Sequence, residues 1–329
     1  MIISGTQNGL FSLIATELSA VEDCLREPVR DSGALLSRVA NYALGSGGKR
    51  IRPALLLLVA RACGADQWDR VVRLASVTEM MHVATLVHDD IVDHSAKRRG
   101  LPSAAALWGS DVSVLAGDFL LSRAIQTLVA DGDMRILQAF ADATVSMITA
   151  EGLQLQLLRD LTISEADYLK IVTGKTAALM SVAARAGALV SDSPRDAVEV
   201  AAAFGFNFGI AFQLVDDALD YTAREERLGK PVGNDFREGK ITYPLIQLLR
   251  TASVADRGIV EDLAKREQLA DEDLAGLRAL VERYQGVAAT MEMVDQYLGE
   301  ARLLLQRMPE SPARHALHRL VDFVRHRDC

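Results

Sequence analysis

Residues 71 to 93 read VVRLASVTEMMHVATLVHDDIVD, an apolar stretch that closes on three aspartates within five positions. The pattern predicts one long helix ending in the acidic triplet. On such a helix Asp89 and Asp93 stand four residues apart and share a face. Like charges at that spacing cost a bare helix roughly a few tenths of a kcal/mol. The helix C-terminus disfavours anions as well. Local physics opposes the placement twice, so a compensating positive charge is expected: a metal ion or a salt-bridge partner. The bland alternative is a solvated acidic patch, which would more naturally mix in lysines.

Outward from this stretch the pattern stays helical. Leu10, Ile14, Leu18, Val21 and Leu25 recur at three- and four-residue steps, and ALLLLVARAC (54–63) reads as a mostly buried helix. Further helices are expected at about 112–130, 133–158, 164–190, 195–222, 240–251 and 256–264, with two or three more to the C-terminus. SAKRRGLPSAAALWGS (95–110) reads as a loop punctuated by Gly100 and Pro102, and REERLGKPVGNDFREGK (224–240) as a functional loop. No run combines β-branched alternation with turn signals, so no sheet is expected, and nothing resembles an interdomain linker. The expectation is a single all-α domain over residues 1–329.

The acidic spacing occurs again. FQLVDDALDYTA (212–223) sets Asp216, Asp217 and Asp220 after another apolar helical run. Two carboxylate pairs facing each other across a bundle would form an oxygen-rich site suited to Mg²⁺, an ion that often bridges carboxylates to substrate phosphates. A di-iron carboxylate bundle needs Glu-x-x-His from two helices. The chain offers one such match, Glu79 and His82, and no second.

Basic residues mark where phosphate could sit. GSGGKRIRP (45–53) carries Lys49, Arg50 and Arg52 after glycines, and AKRRG (96–100) carries Lys97, Arg98 and Arg99. TGKT (173–176) looks like the end of a phosphate-binding P-loop, but the first required glycine would fall at Leu169 and no strand precedes it. Lys175 remains as a lysine on a helix rich in small residues, where a bound anion would explain it. Lys230 and Lys240 sit in the polar loop. The formal net charge of −8 argues against a general nucleic-acid binder. Cys24, Cys63 and Cys329 are too few and too scattered for a disulfide framework, which favours a reducing cytoplasm. The longest apolar run, PALLLLVA (53–60), is far short of a membrane span, so any membrane contact would be peripheral.

Taken together, GGKRIRP, HDDIVD with RRG, TGKT, FQLVDDALD and GKPVGNDFREGKITYP resemble, in order and approximate spacing, the motifs of the trans-isoprenyl diphosphate synthases, the polyprenyl synthetase family. That resemblance implies an isoprenoid-synthase-type helical bundle around a deep central cavity, usually homodimeric. It implies a prenyltransferase that condenses isopentenyl diphosphate with an allylic diphosphate such as farnesyl diphosphate, using about three Mg²⁺ ions. By the same carry-over, Asp89, Asp93 and Asp216 would bind metal, with Asp90, Asp217 and Asp220 in support. Lys49, Arg52, His82 and Arg99 would hold isopentenyl diphosphate. Arg98, Lys175, Lys230 and Lys240 would face the allylic diphosphate, with Thr176 and Gln213 orienting substrate and Phe212 offering its ring to the cation. Arg98, Lys175 and Lys230 join the metal ligands as catalytic candidates.

The helix before Asp89 would form a wall for the growing tail, and each turn of about 5.4 Å matches roughly one isoprene unit. Ala84 and Thr85 lie one turn before Asp89 and neither is bulky; Met81 is flexible, and Phe140 is a candidate floor. An open wall predicts a long product of about seven to ten units, eight first by resemblance, of the kind that becomes a quinone side chain. The alternatives are a short-chain synthase, a class I terpene cyclase and a non-catalytic subunit. The terminal VRHRDC could lend Arg325 or Arg327 to the entrance, although a solvated terminus is the commoner fate.

Overall fold

The computed structural model describes residues 9–26, 34–222, 233–266 and 268–327. The architecture is all-α. Helices α1 (Ala15–Arg26), α2 (Ala34–Gly45), α3 (Ile51–Ala62), α4 (Trp68–Val92), α5 (Ala104–Trp108), α6 (Ser110–Asp131) and α7 (Met134–Gln156) come first. Helix α8 (Glu165–Val172) runs through a π-helical turn at Thr173–Ala177 into α9 (Ala178–Leu189). Then follow α10 (Arg195–Thr222), α11 (Asn234–Arg237), α12 (Tyr243–Thr251), α13 (Val254–Ala264), α14 (Asp271–Arg283), α15 (Gly286–Gln306) and α16 (Pro312–His326).

The expectation of no sheet needs one correction. Lys97–Arg98 and Leu101–Pro102 form a minimal antiparallel hairpin, β1 and β2, inside the stretch read as loop. Turn geometry makes it: Arg99 and Gly100 both have positive φ, 51° and 77°, as a tight two-residue hairpin requires. Strands this short leave no alternation to read in the sequence.

Contacts divide the chain into two compact units, Met1–Ala143 with Leu179–Gly205 and Arg302–Leu320, and Thr144–Ala178 with Phe206–Ala301 and Val321–Cys329. In the first, α3 buries every residue but Arg52 and Arg61. Each fully buried leucine of its Leu55–Leu58 run contributes about 1.5–3 kcal/mol relative to exposure. Helix α4 is buried over most of its circumference, which is why it shows no clean amphipathic stripe. In the second unit the later part of α10 buries Phe208, Ile210, Ala211, Leu214, Val215 and Ala218.

Among the described residues, two helices are long and apolar enough to cross a membrane, α6 and α10. Each carries a few charges, so neither is an unbroken apolar run. Helix α10 is mostly buried, as a core helix is. Helix α6 instead leaves Val114, Leu115, Ile125 and Val129 exposed.

Candidate active site

The first acidic motif closes α4. Asp93 ends the helix with its N–H donating to the Asp89 carbonyl at 2.8 Å, and the chain reverses at His94, whose φ is 50°. Asp89 and Asp93 are half-buried, whereas Asp90 is buried. The compensating charge for Asp90 comes from within the protein: Arg98 Nε and Nη2 both stand 2.6 Å from its Oδ1. The hairpin is thereby tied to the end of α4, and Arg98, expected to face a diphosphate, rests on a carboxylate of the motif.

The glycine loop before α3 sorts its basic residues. Arg50 has left-handed backbone (φ 50°, ψ 37°) and sends its guanidinium inward. It donates to Glu79 Oε1 at 2.5 Å, to Glu22 Oε1 at 2.6 Å and to the Leu44 carbonyl at 2.8 Å. Glu79, the glutamate of the single Glu-x-x-His match, is therefore committed to a buried ion pair. Gly48 (φ 145°) adopts a conformation that side-chain-bearing residues rarely take, and the Arg99 guanidinium packs against it: a Cβ there would lie 2.8 Å from Nη1. The two basic clusters, half a hundred positions apart in sequence, thus meet beside α4.

His82 sits among these cations. Burial, then the charges of Arg52, Arg99, Arg98 and Arg50, hold its imidazole well below the ordinary histidine range. A histidine kept neutral in the folded state and free to protonate when unfolded favours unfolding in acid. Its contribution is whole above about pH 6.5, the unfolded value, and falls as pH drops below it. His82→Gln should therefore flatten the acid side of the stability profile, measured by urea unfolding at pH 5 and pH 7.

The second motif lies in the other unit, with its own cations. Asp217 and Asp220 are buried. Tyr168 donates to Asp217 Oδ2 at 2.5 Å and Gln213 Nε2 to Oδ1 at 2.8 Å; Thr176 in turn donates to Gln213 Oε1 at 2.7 Å. Burial first, and then the nearby charge of Asp235, push the Asp217 carboxyl well above the usual aspartate range. Asp220 accepts from the Asp235 N–H at 3.1 Å and so starts α11. Asp216 is the exception in the motif: its side chain keeps 43 % of its exposure and meets Arg327 at 2.8 Å.

The π turn holds TGKT. Gly174 has no room for a side chain, since a Cβ would stand 2.6 Å from the Ser146 carbonyl and against Ala150, so α7 and this turn touch backbone to backbone. Lys175 Nζ pairs with Glu151 Oε2 at 2.5 Å. The anion expected to explain this lysine is thus supplied by the chain itself. Lys240 pairs with Glu238 at 2.6 Å. A cavity of about 130 Å³ is lined by Lys175, Thr176, Gln213, Asp217, Lys240 and Tyr168 among others, so five residues singled out by sequence share one enclosure.

Of the wall positions, Met81, Ala84 and Phe140 are buried, and Thr85 is half-buried with its hydroxyl donating to the His82 carbonyl at 2.8 Å. Phe212 carries the Arg327 guanidinium 4.0 Å from its ring centroid. Lys230 lies outside the described residues. Sequence reading overlooked Tyr168, Glu151 and Asp235. Tyr168 had a legible signal, standing seven residues before Lys175 on the same helix, and Asp235 lies within the quoted GKPVGNDFREGKITYP motif; Glu151 had none. Among the described residues no three His, Cys, Asp or Glu side chains form a ready-made metal cluster.

A family model described as Polyprenyl synthetase matches residues 33–281. The all-trans-nonaprenyl-diphosphate synthase (geranyl-diphosphate specific) of Rhodobacter capsulatus is 36 % identical over 307 residues, 92 % of this chain and 93 % of that protein. A short chain isoprenyl diphosphate synthase of Methanothermobacter thermautotrophicus is 34 % identical over 313 residues, 93 % and 95 % of the two chains. The crystal structure of a polyprenyl synthase from Caulobacter crescentus CB15, complexed with calcium and isoprenyl diphosphate, superposes with a TM-score of 0.94 at 36 % identity and covers 100 % of both chains. These matches span both units and every motif described above, and the chain belongs to the polyprenyl synthetase family, as a prenyltransferase that makes polyprenyl diphosphates.

Proposed function

We propose that the chain elongates an allylic diphosphate, farnesyl diphosphate for one, by repeated head-to-tail addition of isopentenyl diphosphate, with magnesium as cofactor. The observation that carries this reading is that each acidic motif has its own set of cations in the same unit. Arg52, Arg98 and Arg99 surround His82 beside the first, and Lys175 and Lys240 share a cavity with residues of the second. Asp89, Asp93 and Asp216 offer hard oxygen donors only, the set that suits Mg²⁺, and Asp216 already accepts a cationic group. These carboxylates would hold the magnesium, about three ions in all, whose charge would offset that growing on the leaving group.

In this reading Arg98, Lys175, Lys230 and Lys240 hold the allylic diphosphate while its C–O bond breaks and the electron pair departs with the diphosphate. Lys49, Arg52, Arg99 and the neutral His82 hold isopentenyl diphosphate, whose double bond attacks the allylic carbon. A proton is then lost from the adjacent carbon to the released diphosphate, and the product is again allylic. Thr176 and Gln213, fixed to each other and to Asp217, orient the substrate, and Phe212 presents its ring to the cation. Asp90, Asp217 and Asp220 hold their neighbours in place rather than meeting metal directly.

The product is proposed to be long, about seven to ten isoprene units with eight first, because Ala84 and Thr85 leave the turn before Asp89 without bulk. Quinone side chains are the use such a product suits. A cytoplasmic homodimer working as a single domain per chain, meeting a membrane only to release product, completes the proposal. The exposed apolar row of α6 supports a subunit contact. Incubation with farnesyl diphosphate, isopentenyl diphosphate and Mg²⁺, followed by mass spectrometry, tests the length; a product stopping at 15 or 20 carbons would favour the short-chain reading. Ala84→Phe is expected to shorten the product while turnover persists. An unchanged length would remove Ala84 from the wall.

A further inference from the structure

The last described residue of the chain reaches the second acidic motif. Arg327 follows α16 directly, yet its side chain retains only 3 % of its exposure. Its Nη2 stands 2.8 Å from Asp216 Oδ1 and donates to the Phe212 carbonyl at 2.5 Å. The guanidinium plane covers Phe212, with Cζ 4.0 Å from the ring centroid. Two residues earlier, Arg325 forms a two-point pair with Asp295, Nε–Oδ1 at 2.5 Å and Nη2–Oδ2 at 3.1 Å. That pair ties the end of α16 to α15.

We infer that Arg327 is the standing counter-cation of Asp216, occupying that carboxylate in the metal-free enzyme and giving it up when a divalent ion and a diphosphate arrive. Three observations support this. Asp216 is the half-exposed member of its motif, while Asp217 and Asp220 are buried and already bonded within the protein. A lone carboxylate beside two others is costly, and a guanidinium offsets that cost without a metal. Finally, Arg327 Nε is buried with no hydrogen-bond partner. A buried N–H donor left unsatisfied costs about 1–3 kcal/mol, so this pose holds Asp216 while leaving Arg327 itself incompletely satisfied. Arg327 is thus a positioning residue: it holds Asp216 and Phe212 before the metal is present, and competes with that metal for one oxygen.

The inference rests on Asp216 being a metal ligand, and the experiment separates the two. Mn²⁺ is titrated into the full-length protein with inorganic pyrophosphate present, binding is followed by electron paramagnetic resonance, and thermal unfolding is recorded without metal. Arg327→Gln is expected to bind Mn²⁺ roughly fivefold more tightly, since the ion no longer displaces a charged hydrogen bond, and to unfold at a lower temperature when metal-free. Arg327→Lys, which keeps the charge but loses the planar stacking, should shift both in the same direction by less, and it serves if the glutamine variant does not fold. Equal or weaker Mn²⁺ binding in a folded Arg327 variant overturns the counter-cation role. Asp216→Asn reports on the other premise: lost Mn²⁺ binding keeps Asp216 as a ligand, and undiminished binding removes it together with this inference.

Discussion

Asp89→Asn is expected to lower kcat/KM by about a hundred- to a thousandfold at saturating Mg²⁺, the scale on which losing one preorganised electrostatic contact to a developing charge is felt. The amide has the shape of the carboxylate and can still accept a hydrogen bond, so packing at the end of α4 is preserved. What disappears is the negative charge that a divalent ion needs. Stability should move the other way. In the metal-free protein Asp89 lies one turn from Asp93 at a helix C-terminus, where like charge and the helix dipole both oppose it. Removing it should gain roughly a few tenths of a kcal/mol. Lost turnover with unchanged or higher thermal stability is the signature of a residue kept for chemistry. Steady-state kinetics beside thermal unfolding read both, and turnover within tenfold of wild type would take Asp89 out of the metal site.

The largest stability loss is expected at Arg50. Its guanidinium and the Glu79 carboxylate are almost wholly buried and 2.5 Å apart, with Glu22 on the other side. Arg50→Ala leaves Glu79 charged and unpaired in the interior of α4, a change that costs about 3–5 kcal/mol. Denaturant unfolding measures it as a lower midpoint, and a loss under about 1 kcal/mol would mean that water reaches the pair. Because Arg50 also holds the turn between Gly48 and Arg52, protein that remains folded should show a raised KM for isopentenyl diphosphate before any fall in kcat.

The two acidic motifs and the helices carrying them were legible because their signals are local: a spacing of four, an apolar run, a glycine loop. The division of labour within each basic cluster was not. Lys49, Arg50 and Arg52 look alike in sequence, and what separates Arg50 is a glutamate 29 positions away on another helix. The same glutamate belongs to the single Glu-x-x-His match, which already lacked the second copy that a di-iron site needs. Arg98 likewise finds Asp90 only because a two-residue turn folds it back. The general expectation of a solvated terminus fails for Arg327 because its guanidinium is buried against Phe212 and Asp216. Long-range pairings of this kind leave no periodicity to detect.

The π turn at Thr173–Ala177 carries a consequence for length rather than composition. Such a turn is an ordinary helix with one residue too many, so excising one residue would restore regular bonding and leave the helical content intact. The wide turn already absorbs the surplus residue, so both flanks would keep their faces while the turn itself tightens. Tyr168 lies before the surplus residue and Thr176 within it, yet both belong to one hydrogen-bonded chain through Gln213 and Asp217. The flanks of this helix can therefore survive a single deletion inside the turn, whereas a deletion in a regular stretch of it would swing one flank by about 100° against the other, a difference that scanning by substitution alone would never expose.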